Sequence, residues 1–246
     1  MTGLRVLRGG PADAPGPRVL MLHGLGASAD VWAATAAALP GRAWAAPDLP
    51  GHGGSARLER YTFAAVAAEV ADLVDPAGTV LLGHSFGGVV ALHLADRPGV
   101  RAVVAVGVKV AWTTEELERA AALAARPART HPTRDEALAR HLKVAGLAGL
   151  VEPEAHAAGV VAEGDGWRPA LDVRAFAVGE PGVAALLAAS PVPVTLARGE
   201  NDPMVATAQL RALVADPVEL AGVGHNAHVE DPAAVAALVS ATGRTP

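Results

Sequence analysis

The stretch "LLGHSFGGVV", residues 81–90, decides how the rest of the chain is interpreted. An apolar run typical of a buried strand leads into it, and a helical pattern begins at Phe86. Between the two, "GHSFG" (83–87) fits G-x-S-x-G, the pattern of a sharp strand-to-helix turn that exposes a nucleophilic serine. A glycine-rich turn that binds phosphate is the alternative. The strand and helix on either side favour Ser85 as a nucleophile.

The chain on both sides of this turn alternates between strand and helix patterns. The predicted strands are 18–24, 43–53, 79–85, 100–108, 191–202 and 216–225. The predicted helices are 62–75, 86–98, 206–215 and 232–243. Such alternation predicts an α/β fold in which helices cover both faces of a mostly parallel, twisted sheet.

The middle of the chain breaks this rhythm. Residues 111–182 show helical patterns, "TTEELERAAALAARPA", "TRDEALARHLKVAGL" and "EPEAHAAGVVAEG", and no convincing strand. We therefore expect a core domain made of 1–110 and 183–246, with 111–182 inserted as a helical cap. Its expected place is above the carboxyl edge of the sheet, where ligands of such folds bind.

A serine hydroxyl needs a base to take its proton. In "LAGVGHNAHVEDP", His225 follows the last predicted strand and lies at the same sheet edge as Ser85. His228 is the rival, but we expect it to order the loop together with Glu230. Residues of this loop thus supply the base, with His225 preferred.

A catalytic imidazole also needs an acceptor for its second nitrogen. The segment "ARGENDPMV" supplies two carboxylates after the preceding strand, Glu200 and Asp202. Asp202 is favoured because Pro203 stops the strand and fixes the loop there, with Glu200 as the alternative.

Two backbone amides are expected to stabilise the oxyanion that forms when the serine attacks. One is the amide of Phe86, at the start of the helix. The other is the amide of Leu25 in "HGLGAS" (23–28), where glycines give the loop freedom to aim it. His23 is expected to hold this loop in place.

Composition excludes several classes of function. The 246 residues are 51% hydrophobic and 18% charged, which indicates a globular protein, and the net charge of −5 argues against nucleic-acid and anionic-membrane partners. The chain has no cysteine, so thiolate catalysis and disulfides are excluded. Neither a signal peptide nor a membrane span is apparent, and we expect a cytoplasmic protein, either monomeric or homodimeric.

The motifs taken together resemble those of the α/β-hydrolase superfamily. The matching pieces are "HGLGASADVW", "DLPGHGGS", "GHSFGG", "ARGENDPMV" and "GVGHNAHVEDP", which span residues 23–232 in the order the family has them. The resemblance implies a serine-nucleophile enzyme with a helical cap, the triad Ser85, Asp202 and His225, and no metal or cofactor. In "DLPGHGGS", Asp48 and His52 are expected to bond the backbone beside the site. The short "LRVLRG" before the first core strand departs from the family and predicts a single edge strand.

The resemblance leaves the reaction open. Cleavage of a small-to-medium carboxylic ester is the first hypothesis, and hydrolysis of a carbon–carbon bond in a ring-cleavage product is the second. Thioesterase, lactonase or perhydrolase activity, or a non-catalytic small-molecule receptor, are further alternatives. The expected partner is a small acyl compound, and the candidate substrate contacts are Trp112, Trp167, Phe176 and Met204. Lys109 could meet an acidic substrate, although a solvated lysine is the simpler expectation.

Overall fold

The computed structural model describes residues 3–242, and its centre is a seven-stranded sheet. Its strands are β1 (Val6–Gly9), β2 (Arg18–Leu22), β3 (Trp44–Pro47), β4 (Thr79–His84), β5 (Val100–Val106), β8 (Val194–Gly199) and β9 (Val218–Leu220), and β6 and β7 lie in the inserted segment. Across the sheet the order is β1-β3-β2-β4-β5-β8-β9. β1 pairs antiparallel with β3, and all other neighbours in the sheet are parallel. The predicted fold class is thereby confirmed, and residues 3–17 contribute one edge strand, β1, as predicted.

Helices cover both faces of this sheet. The helices of residues 3–242 are α1 (Ala33–Ala37), α2 (Phe63–Val70), α3 (Phe86–His93), α4 (Thr114–Ala124), α5 (Arg134–Val144), α6 (Val183–Ala189), α7 (Thr207–Arg211), α8 (Ala227–Glu230) and α9 (Pro232–Ala241), of which α4 and α5 lie in the inserted segment. One apolar cluster joins the sheet to α2, α3, α6 and α7, and a second joins its other face to α1 and α9. Because apolar side chains leave water on both faces, every residue of the central strand β4 is buried.

The registers of the central strands bring their carboxyl ends to one edge. Leu22 at the end of β2 pairs with Gly83 of β4, and His84 pairs with Val106 at the end of β5. Parallel strands in this register present the loops that follow them side by side. The serine turn, which follows β4, therefore has neighbouring loops on both sides.

The inserted segment contains a hairpin that sequence reasoning missed. β6 (Val160–Glu163) pairs antiparallel with β7 (Gly166–Pro169) across a two-residue turn. The expectation that 111–182 holds no strand was therefore wrong. In place of the third predicted helix there is a 3-10 helix, Pro153–Gly159. The neglected signal was a β-branched pair, Val160 and Val161, followed by Gly164-Asp165, with Gly164 at a φ of +57°. The other two predicted helices of this segment are present as α4 and α5.

Buried imidazoles are unusually frequent in this fold. Six of the nine histidines are less than 5% exposed: His23, His52, His84, His141, His156 and His228. Burial disfavours the charged ring and lowers the pKa of each of them, to about 4 for His141 and about 3 for His228. The folded protein therefore keeps these rings neutral at a pH where an unfolded chain would protonate them.

Acid should destabilise the fold well before its carboxylates titrate. Below about pH 6.5 an unfolded chain takes up protons on these histidines, whereas the buried rings of the folded protein stay neutral. The free energy of unfolding therefore falls as pH drops, by about 1.4 kcal/mol per pH unit for each histidine whose pKa lies well below that range. Urea unfolding at about pH 7 and about pH 5 measures this slope, and replacing one such ring, as in His141→Asn, should reduce it. Equal stability of the wild type at both pH values would contradict the prediction.

Candidate active site

Ser85 lies in a strained turn between β4 and α3. Its φ of 49° and ψ of −112° make it the sole residue other than glycine with a positive φ among residues 3–242. A side chain at position 83 would collide with the Gly87 carbonyl, and one at position 87 would collide with the Leu22 carbonyl. Strain of this kind costs on the order of 1–3 kcal/mol and persists only where the surroundings impose it. The two glycines therefore let the backbone close tightly enough to hold the hydroxyl above the sheet.

The loops after β8 and β9 bring a carboxylate and an imidazole together. His225 Nδ1 lies 2.9 Å from Oδ2 of Asp202, whose side chain is fully buried. A carboxylate can only accept, so Nδ1 carries the proton and Nε2 is left as the basic nitrogen. The alternative acid, Glu200, points elsewhere and accepts a hydrogen bond of 2.8 Å from the Gly222 amide.

The neighbours of His225 fix its loop. The Glu230 carboxylate accepts the amides of Gly224, at 2.7 Å, and Asn226, at 3.1 Å. His228 is 1% exposed, and its ring packs against Trp32, with 4.7 Å between the ring centroids. The structure thus places Glu230 where it orders the loop, whereas neither ring nitrogen of His228 has a hydrogen-bond partner among the described residues, Asp202 included.

The loop after β2 runs beside the serine turn. His23 donates from Nδ1 to the Gly24 carbonyl at 2.8 Å, and its Nε2 accepts the Leu49 amide at 2.9 Å. Within the part of the chain that the structure describes, the amides of Leu25 and Phe86 have no hydrogen-bond acceptor. Both residues line the same cavity as Ser85. The two amides are thus available to a group placed in that cavity.

The segment after β3 forms hydrogen bonds with the loop that follows β2. Asp48 is fully buried and accepts the amides of Ala29, at 2.7 Å, and Gly54, at 2.8 Å. His52 donates from Nδ1 to the Pro50 carbonyl at 3.1 Å. Both side chains therefore bond the backbone, in the manner expected of a structural loop.

A cavity of about 550 Å³ lies between the sheet edge and the inserted segment. The core side supplies Ser85 and His225, and the inserted segment supplies a mostly apolar wall from α4, the end of α5 and the stretch around Phe176. The members of this wall on α4 include Leu117, Ala120 and Leu123, which the sequence alone did not single out. The sequence signal that could have indicated them is the capping box of Thr113 and Glu116, because it marks the start of an amphipathic helix.

Three of the four candidate substrate contacts line this cavity: Trp112, Phe176 and Met204. The fourth, Trp167, does not. It lies in β7, where its backbone pairs with His131 within the inserted segment. Lys109 lines the cavity, but it forms an ion pair with Glu116 and lies 4.8 Å from the ring centroid of Trp112. A lysine already neutralised in this way is a poor partner for an acidic substrate.

Two further features bear on the kind of site. Across residues 3–242, histidine, aspartate and glutamate side chains form no group of three suited to a metal ion. In the same range, no helix combines the length and apolar character required to cross a membrane. The polar side chains that line the cavity include those of Ser85, His225, Lys109, Glu116 and Arg119.

Comparison with known proteins places this geometry in context. The chain is 45% identical to Lipase LipV of Mycobacterium tuberculosis over 96 residues, a match that covers 37% of this chain and 36% of the lipase. It is 28% identical to a 2-succinyl-6-hydroxy-2,4-cyclohexadiene-1-carboxylate synthase of Klebsiella pneumoniae, over 91% of this chain and 92% of the synthase. The solved thioesterase domain from the curacin biosynthetic pathway superposes with a TM-score of 0.78 at 22% identity, over 96% of this chain and 94% of that domain.

A family model describes nearly the whole of the core and the inserted segment. The model for the alpha/beta hydrolase family matches residues 19–238, from the second strand to the last helix. It therefore includes the serine turn and the two loops that carry Asp202 and His225. The chain belongs to the alpha/beta hydrolase family.

Proposed function

We propose that the protein is a serine hydrolase that cleaves a small-to-medium carboxylic ester through an acyl-enzyme. The observation that carries the proposal is the His225–Asp202 hydrogen bond of 2.9 Å in a cavity that also contains the strained Ser85. An acid–base pair of this kind, beside a serine held in a sharp turn, is the arrangement that activates a hydroxyl for acyl transfer. The resulting chemistry is hydrolysis without a cofactor.

The proposed reaction uses each group in turn. Ser85 Oγ attacks the ester carbonyl while His225 Nε2 takes its proton, and Asp202 stabilises the imidazolium that forms. The amides of Leu25 and Phe86 donate to the oxyanion. His225 then protonates the leaving alcohol, and a water molecule, activated by the same ring, releases the acid from Ser85.

The cavity supports an acyl compound as the substrate. Its volume of about 550 Å³ lies within the range of roughly 300–1,000 Å³ usual for small-molecule sites. Its wall is mostly apolar, and Lys109 is compensated by Glu116. We propose that residues 111–182 act as a cap that shapes this wall and so selects the acyl or alcohol group.

A second candidate reaction is the hydrolysis of a carbon–carbon bond in a ring-cleavage product. One relative that matches along more than nine-tenths of both chains is named a cyclohexadiene carboxylate synthase rather than an esterase, so a reaction on a cyclic carboxylate is tested beside ester hydrolysis. One substrate panel decides between the candidates: nitrophenyl esters of rising acyl length, lactones, a thioester and a dienone acid. Turnover of esters supports the first proposal, turnover of the dienone acid alone supports the second, and turnover of nothing supports a receptor.

Replacing the nucleophile should abolish turnover. We expect Ser85→Ala to lose activity on the order of 10⁶-fold, as in the best-studied serine protease, while the fold stays intact. Wild-type protein should react with a fluorophosphonate at Ser85 alone, as read by peptide mass spectrometry. Labelling at another residue, or full activity of the alanine variant, would refute the assignment.

The two histidines of the loop should behave differently. His225→Ala should remove nearly all ester hydrolysis because Ser85 loses its base. His228→Ala should keep most of it, but lower the melting temperature because a buried ring is lost against Trp32. Steady-state kinetics and thermal unfolding of both variants measure this, and the opposite ranking of activities would show that His228 is the base.

The ring at the start of the inserted segment should influence selectivity. Trp112 lines the cavity and Trp167 does not, so the two tryptophans form a matched pair. Trp112→Ala should change the ranking of nitrophenyl esters by acyl length and leave fluorophosphonate labelling of Ser85 intact. Trp167→Ala should leave the ranking unchanged. An unchanged ranking in Trp112→Ala and in Phe176→Ala would eliminate these rings as selectors.

A further inference from the structure

The residue before the nucleophile makes a contact that the proposed reaction does not use. His84 is the last residue of β4 and is 3% exposed. Its Nε2 lies 2.9 Å from the backbone carbonyl oxygen of His225, which is 141 residues away along the chain. A single side chain thus joins the strand of the nucleophile to the loop of the base.

The partner of this hydrogen bond determines the form of the ring. A carbonyl oxygen only accepts, so Nε2 of His84 must carry the proton and donate it. Burial also lowers the pKa of His84 well below its usual range, so the ring is neutral and its Nδ1 carries no proton. His84 therefore exists as one defined tautomer whose donor points at His225.

The ring also contacts the loop that carries the Leu25 amide. A Cβ atom at position 24 would lie 2.7 Å from His84 Nδ1, so glycine at this position lets the ring and the loop pack together. The ring centroid of His84 is 4.8 Å from that of His225 and 4.2 Å from that of His228. One imidazole consequently touches the amide loop, the nucleophile turn and the base loop.

We propose that His84 is a positioning residue that sets the base against the nucleophile through its hydrogen bond to the His225 carbonyl, an assignment that rests on the proposed function. Ser85 follows His84 directly in the chain, so this bond fixes the His225 backbone relative to the hydroxyl that it must deprotonate. The Asp202 carboxylate orients the imidazole from its other side. Misplacement of a catalytic group by about 1 Å can cost on the order of 10²-fold in rate, so a hydrogen bond that prevents such a displacement has a measurable effect on turnover.

Two substitutions of similar length separate the hydrogen bond from packing. His84→Gln retains an N–H donor near the position of Nε2, whereas His84→Met fills similar space without a donor. We expect His84→Met to lower kcat for a nitrophenyl ester by about 10- to 100-fold with little change in KM, and to slow fluorophosphonate labelling of Ser85 to a similar extent. His84→Gln should recover most of both rates. His131→Met serves as the control, because the backbone of His131, not its ring, pairs with Trp167.

The outcomes separate this assignment from the function on which it rests. Equal kcat and equal labelling rates in the glutamine and methionine variants, with an active wild type, would overturn the positioning role alone. A wild type that neither labels at Ser85 nor hydrolyses any ester would overturn the proposed function and this role with it. If the methionine variant does not fold, the tautomer of His84 in the wild type tests the proposal instead. Nitrogen-15 NMR of the wild type should show His84 protonated at Nε2, and protonation at Nδ1 would overturn the proposal.

Discussion

The close approach of backbone segments around Ser85 is the constraint on which the rest of the site depends. The serine can hold a φ of 49° because position 83 carries no side chain against the Gly87 carbonyl, and position 87 carries none against the Leu22 carbonyl. The end of β2, the end of β4 and the start of α3 are thereby packed together without intervening side chains. The backbone geometry of Ser85 is imposed by its neighbours, which hold a conformation that an isolated serine would leave.

The sheet supplies the second level of organisation. Parallel registers bring the ends of β2, β4, β5, β8 and β9 to one edge, so the five loops that follow them lie side by side although they are far apart in the chain. Asp202 and His225 come from two of these loops and meet at 2.9 Å. Backbone hydrogen bonds to buried polar side chains, such as those to Asp48 and to His23, fix the loops.

The inserted segment gives the site its apolar character. α4 has no buried residue, yet its apolar side faces the cavity, so its stability depends on its end caps and on contact with the neighbouring 3-10 helix, Val173–Ala177. The ion pair of Lys109 and Glu116 joins the core to α4 at the point where the inserted segment begins. A wall built in this way can differ between relatives while the sheet edge below it stays constant, because loops and insertions tolerate change better than a packed sheet.

The sequence by itself determined the parallel sheet, the serine turn and the order of serine, acid and histidine along the chain. These features rest on local patterns: apolar runs that end in glycine, a helix that begins after a serine, and polar residues that follow strands. Only the tertiary structure decided which carboxylate meets His225, since Glu200 and Asp202 lie two residues apart after the same strand and one bonds the Gly222 amide while the other bonds His225. It also decided that Trp112 lines the cavity and Trp167 does not, and that His84 reaches the His225 carbonyl. Contacts of this kind join residues distant in the chain, and their geometry depends on packing that no local pattern encodes.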